Sequence, residues 1–137
     1  MRRYLAPVLA SLGSLQLAQG IWMGVAPRSF YDVLADFEPY DAHLLRDLAT
    51  WSVALGAVLI VAARRPAWRV PVLVFAALQF GLHTLNHLVD VGAARTTLMG
   101  VFDLVSLLVI AAQLVVLVVL SASSPARASA SDRAEGR

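Results

Sequence analysis

Four long apolar runs constrain this chain more than any other feature. They cover about Tyr4 to Ala26, Leu44 to Ala63, Val70 to Val89 and Leu98 to Leu120. Each is near the ~20 residues that carry a helix across a bilayer core. A single segment in lipid must satisfy its own backbone, so each run is expected to be helical. The expected fold is therefore all-α: an integral membrane four-helix antiparallel bundle. The fraction of hydrophobic residues, 59%, and of charged residues, 15%, agree. Soluble domains carry roughly 45–50% and about 25%.

The 137 residues leave room for one domain. It is expected to span 1–120, followed by a disordered cytoplasmic tail at 121–137, rich in Ser, Ala and charge. The first run has a rival reading, because Arg2-Arg3 ahead of an apolar stretch also fits a signal peptide. Its continuation through Ile21-Trp22-Met23-Gly24-Val25 exceeds the usual signal core and favours a retained span. Gly20-xxx-Gly24 within it offers a close-packing surface for another helix.

Orientation follows from the arginines, which are the only strongly basic residues in the sequence. Arg2, Arg3, Arg64, Arg65, Arg69, Arg127, Arg133 and Arg137 fall on one side of a four-span arrangement, and Arg28, Arg46 and Arg95 on the other. This predicts a multi-pass plasma-membrane protein with both termini cytoplasmic. The opposite side is acidic, with Asp32, Asp36, Glu38, Asp41, Asp47 and Asp90. A net charge of +2 with arginines scattered at segment ends forms no basic face, so a bilayer and not nucleic acid is the expected partner. The Arg and Ala richness suggests a GC-rich bacterial genome. With no cysteine, thiolate nucleophiles, disulfides, iron–sulfur clusters and Cys-ligated zinc are excluded.

The long first loop, about Pro27 to His43, holds Phe30, Val33, Leu34 and Phe37 at i, i+3, i+4 and i+7. This predicts a short interfacial helix between spans one and two, with Ser29 as cap, acting as a connector or as a lid over the bundle. Asp41 is expected to cap span two. Pro66 is expected to stop a helix in the tight loop Arg64-Arg65-Pro66-Ala67-Trp68-Arg69.

The sharpest chemical feature is His83-Thr84-Leu85-Asn86-His87-Leu88-Val89-Asp90. His83, His87 and Asp90 at i, i+4 and i+7 share one helix face. Polar groups in hydrocarbon are costly, so they face a partner, a cavity or water. At 1.5 Å per residue, Asp103 lies roughly 7–8 Å inside span four, with Gln19 at a similar depth. Arg46 and Asp47 lie near the same end of span two, so all four spans offer polar groups in the outer half. Asp103 is expected to lie against His83, His87 or Arg46.

Three chemistries fit this layer. His83 and His87 form an i,i+4 pair suited to a metal, with Asp90 or Asp103 as a third donor. His and Asp can share a proton in acid/base work. Alternatively, the groups hydrogen-bond across the bundle and are structural, which is the commonest reason for such residues. Haem held by two histidines is disfavoured, because only His43 remains outside the pair.

Over residues 4–120 the chain resembles the DoxX-like group of small bacterial four-helix membrane proteins. The likeness rests on Gly20-Ile-Trp-Met-Gly-Val-Ala-Pro27 ahead of Phe30-Tyr31, on Arg46-Asp-Leu-Ala-Thr-Trp-Ser-Val-Ala-Leu-Gly56, and on the Arg-Arg-Pro-x-Trp-Arg loop. It implies a compact bundle in the plasma membrane. The quinone or thiol redox chemistry of some members carries over only without its thiols, because this sequence lacks cysteine.

Two classes of function follow. One is an accessory protein that binds a small lipophilic ligand or a membrane partner subunit between its helices. The other is a membrane enzyme, or a redox or metal accessory, using His83, His87 and Asp103. A cavity of about 300 Å³ or more behind the polar layer is the feature that separates binding or catalysis from a purely structural layer.

Overall fold

The computed structural model describes residues 2–35, 37 and 39–123. Among these the chain is helical, in five elements: α1 (Arg2–Val25), α2 (Pro27–Val33), α3 (Ala42–Arg64), α4 (Pro66–Val89) and α5 (Thr97–Ala122). α1, α3, α4 and α5 are each long and apolar enough to cross a membrane. They correspond to the four apolar runs. The tail expected at 121–137 is shorter at its start, since Ser121 and Ala122 complete α5. Residues 124–137 lie outside the described residues, as do Asp36 and Glu38 of the first loop.

The element ends follow local chemistry. Asp41 caps α3, its Oδ1 accepting from the backbone N–H of His43 at 2.8 Å and of Leu44 at 3.1 Å. Thr96 caps α5 in the same way through Met99 N–H. Pro66 stops α3, since the residue before it, Arg65, is extended, and it also opens α4 at the first helical position, where a missing N–H costs nothing. The loop between α3 and α4 therefore shrinks to Arg65, which closes one helix and opens the next. Arg69 reaches back to donate to the carbonyls of Ala62 and Ala63, both at 3.2 Å, and satisfies the exposed end of α3.

α2 also differs from its expectation. Pro27, not Ser29, sets its start, because Pro arrives with the helical φ already fixed. Ser29 instead lies in the first turn, where its Oγ accepts from Trp22 Nε1 at 3.3 Å. The buried face is Phe30 and Tyr31, with Leu34 partly buried, while Val33 is 53% exposed. Phe37 lies beyond the helix and forms an isolated antiparallel bridge with Ala94 in the α4–α5 connection.

Packing divides the molecule along its length. α1 and α3 meet at their backbones. A Cβ on Gly13 would stand 2.8 Å from the Gly56 carbonyl oxygen, and one on Gly20 would stand 2.9 Å from Val53 N. Contacts run in opposite order along the two helices, Gly13 with Gly56 and Ile60, Gly24 with Ala49. Small residues thus recur every seven positions, at Gly13 and Gly20 on one helix and at Ala49, Gly56 and Ala63 on the other. α5 packs closely on α4.

One end holds a solid core of Leu9, Leu55, Leu59, Leu73, Ala76 and Leu114 with smaller neighbours. The other end carries a second cluster, in which Phe30 and Tyr31 of α2 sit on Met23, Leu45 and Ala49. Large apolar side chains cover the outside, such as Leu78, Leu82 and Leu85 of α4, as a surface solvated by lipid requires.

Candidate functional site

Between the solid core and the α2 cluster lies a cavity of about 730 Å³. This is within the ~300–1,000 Å³ range typical of ligand sites. Every long helix contributes to its wall, and Phe30 and Tyr31 of α2 line one end together with Leu34, Phe37 and Pro39.

α4 supplies the main polar strip. Gln79, His83, Asn86, His87 and Asp90 all line the cavity. Their spacing of four, three, one and three residues keeps them on one helical face. The two imidazoles stack, with ring centroids 4.8 Å apart and planes 22° apart. Phe37 meets His87 edge-on at 5.0 Å and extends the stack towards the α2 end. Thr84, on another face, donates to the Phe80 carbonyl at 2.7 Å and stays within its own helix.

α5 faces this strip with Asp103 and Ser106, one turn apart. Asp103 lines the same cavity as His83. α1 contributes Gln16 and Gln19, and α3 contributes Ser52 and Trp51. The rest of the wall is mostly apolar, with Met23, Leu45, Phe80 and Phe102 among its members. Two atoms of the strip, Gln79 Oε1 and His87 Nδ1, are buried and have no hydrogen-bond partner among the described residues. Such atoms typically cost about 1–3 kcal/mol each when nothing meets them.

The sequence-predicted residues divide into two groups. Gln19, His83, Asn86, His87, Asp90 and Asp103 line one cavity. Arg46 and Asp47 do not. Both are exposed, and Asp47 Oδ2 stands 3.5 Å from His43 Nε2 on the helix surface. The cause is angular: Leu45, Leu48, Trp51 and Ser52 turn α3 inward, and at 100° per residue position 46 falls on the opposite arc and position 47 just beyond the edge of the inward one.

Gln16, Gln79, Ser52 and Ser106 are cavity residues that the polar-layer reading passed over. Each lies three or four residues from a flagged position or from an inward-facing one: Gln79 precedes His83 by four, and Ser106 follows Asp103 by three. That spacing was the available signal.

In their stacked arrangement the two histidines are not turned towards one shared ion. An imidazole lone pair lies in the ring plane, and a shared ion must stand about 2.0–2.1 Å from both nitrogens. Near-parallel rings with centroids 4.8 Å apart aim their lone pairs side by side instead of at one point. Among the described residues no group of three His, Cys, Asp or Glu side chains is placed to hold a metal.

The cap over the cavity is held by rings and cations. Trp22 meets Phe30 edge-on at 5.4 Å, and Tyr31 meets Tyr40 at 5.0 Å. Arg28 stacks on Tyr40 at 5.0 Å and pairs with Asp32 at 3.1 Å, while Arg95 lies over Tyr31 at 5.3 Å.

No family model, curated protein or solved structure matches this chain.

Proposed function

We propose that the chain is a multi-pass plasma-membrane protein, an antiparallel four-helix bundle with cytoplasmic termini, that binds a small lipophilic molecule in the cavity between its spans. The observation that carries this reading is the cavity itself, about 730 Å³ and walled by all four long helices. Its mostly apolar wall suits a lipophilic body. Its polar strip on α4 and α5 suits one polar group. Satisfying Gln79 and His87 is work that a bound molecule or water can do.

We extend the DoxX-like resemblance to the bundle only. Acid/base chemistry at the same place is the second reading, and one observation favours it: His83 and Asp103 line the same cavity.

Native mass spectrometry of protein released from its own membranes tests the binding reading. The wild type is expected to carry a stoichiometric small-molecule adduct. Ser106→Trp, which fills the cavity, is expected to lose it. An adduct retained in full by Ser106→Trp contradicts binding at this place.

A further inference from the structure

The four long helices form two closely packed pairs. α1 meets α3 backbone to backbone, and α5 packs along α4. The pairs are joined through Arg65, and the stack of Trp51 on Phe75, with centroids 5.8 Å apart, crosses from α3 to α4. The remaining side has no such seam. α1 and α5 do not pack closely on each other, although both wall the cavity. At the solid end Leu9 of α1 and Leu114 of α5 belong to one core with α3 and α4, so the gap is confined to the hollow end.

Helical rotation puts two residues at the rim of this gap. On α1, Gly13 and Gly20 face α3, and Gln19 lies about 100–120° round the helix from them. On α5, Gly100 stands against Val91 and Ala94 beyond the end of α4, and Val118 shares a groove with Val74 and Ala77 of α4. Phe102 lies about 160° round the helix from both. Gln19 and Phe102 thus occupy the edges turned away from the packed partners. Both line the cavity and both are exposed, Phe102 by 56%. A side chain that does both stands at an opening.

The end beneath α2 is shut by contrast. Phe30 and Tyr31 are buried, Phe37 lies edge-on to His87 and bridges Ala94, and Arg95 covers Tyr31. Entry there would part ring pairs worth about 0.5–1.5 kcal/mol each.

We infer that the cavity opens sideways into the bilayer between α1 and α5, and that its ligand is a molecule dissolved in the membrane hydrocarbon and not one delivered from water. This rests on the ligand-binding reading above and adds the route and source of the ligand. The rim lies within segments long and apolar enough to span the membrane. Lipid chains are as apolar as the helix walls, so no hydrophobic force draws this seam closed. A lipophile crossing it stays in an apolar medium throughout.

The test uses a phosphatidylcholine that carries a diazirine midway along one acyl chain, because its headgroup keeps the reactive carbon in the bilayer. The full chain is irradiated in nanodiscs of this lipid, and adducts are placed by tandem mass spectrometry. Met23 and Ser52 line the cavity and are buried, so they report on its interior, while exposed Leu78 and Leu82 report on the outer surface. In the wild type, adducts are expected at both sets. The sequence has no cysteine, so one rim can be blocked at a time. Gln19→Cys carrying a pyrene maleimide is expected to lower the interior-to-surface adduct ratio at least tenfold. Leu48→Cys with the same label, on the α3–α4 side, is expected to leave the ratio within twofold.

A free naphthyl diazirine in the same discs serves as the untethered probe. If it labels Met23 and Ser52 while the tethered chain does not, the sideways opening is overturned and the cavity reading stands. A ratio that falls with the Leu48 label, or that holds with the Gln19 label, overturns the assignment to the α1–α5 side. If the free probe labels neither Met23 nor Ser52, the ligand-binding reading itself fails. The wild-type comparison needs no variant, so a poorly folded labelled protein leaves the sideways opening decided.

Discussion

Single residues settle where each helix begins, and Asp41 does so most visibly. The backbone N–H groups of Leu44 and then His43 hold its carboxyl below the usual carboxylate range. A group with a depressed folded value contributes stability that is complete above its unfolded value, near 4, and is lost as pH falls through the folded value. Asp41→Ala is therefore expected to lower Tm at pH 7. The gap from wild type should narrow as pH falls below the unfolded value, near 4, and close below the folded value, in thermal scans of the detergent-solubilised protein. A gap of constant size from pH 7 to pH 3 would show that the cap acts through something other than its charge.

At this scale the sequence was readable where the signal was local. An Asp before an apolar run identifies a cap, and His83 and His87 one turn apart identify a shared face. Ser29 is not the cap of α2 because Pro27, at the first helical position, sets the start ahead of it.

Elements are placed by what their smallest residues permit. α1 and α3 approach until a methyl group on Gly56 would stand 2.7 Å from the Gly13 carbonyl and 2.8 Å from Leu17 N, both backbone atoms that cannot step aside. Gly56→Ala is expected to destabilise the protein by about 1–3 kcal/mol, the usual cost of overpacking a well-filled contact. Gly81→Ala is the control, since its methyl meets nothing within 4 Å. It is expected to be neutral, or stabilising by up to ~1 kcal/mol through helix propensity. Unfolding titrations in mixed micelles compare the two, and equal losses would contradict the close backbone contact.

The Gly20-xxx-Gly24 spacing pointed to this face. The wider pattern, small residues seven apart at positions 13 and 20 and at 49, 56 and 63, needed both helices in view at once. The short α2 shows the reverse. Its apolar spacing predicted a helix, but the buried side chains are Phe30 and Tyr31, because Pro27 set the rotation and Met23, Leu45 and Ala49 offered the surface beneath.

The whole molecule is solid at one end and hollow at the other. Leu9, Leu55, Leu59, Leu73 and Leu114 fill the first end, while polar side chains of α1, α4 and α5 stand around a void at the second. Span number was legible because it depends on run length and hydropathy alone. That polar residues crowd one end was legible from depth counting at 1.5 Å per residue. The cavity was not, because it depends on how far apart helices distant in sequence are held. Arg46 and Asp47 show the limit. Depth places them level with His83, and only the rotation of α3 takes them off the wall.

Trp51 offers the most direct measurement of the hollow end, since it lines the cavity while Trp68 is far away in the first turn of α4. With Trp22 and Trp68 replaced by Phe, the remaining indole reports on the cavity. It is titrated with 2-bromonaphthalene in phosphatidylcholine nanodiscs. Saturable quenching is predicted, at one probe per chain, and Ser106→Phe is predicted to raise the half-saturating concentration at least tenfold. Quenching that stays linear in probe concentration and is the same in Ser106→Phe would mean that the indole sees only lipid-dissolved probe, and would contradict a ligand-sized cavity between these helices.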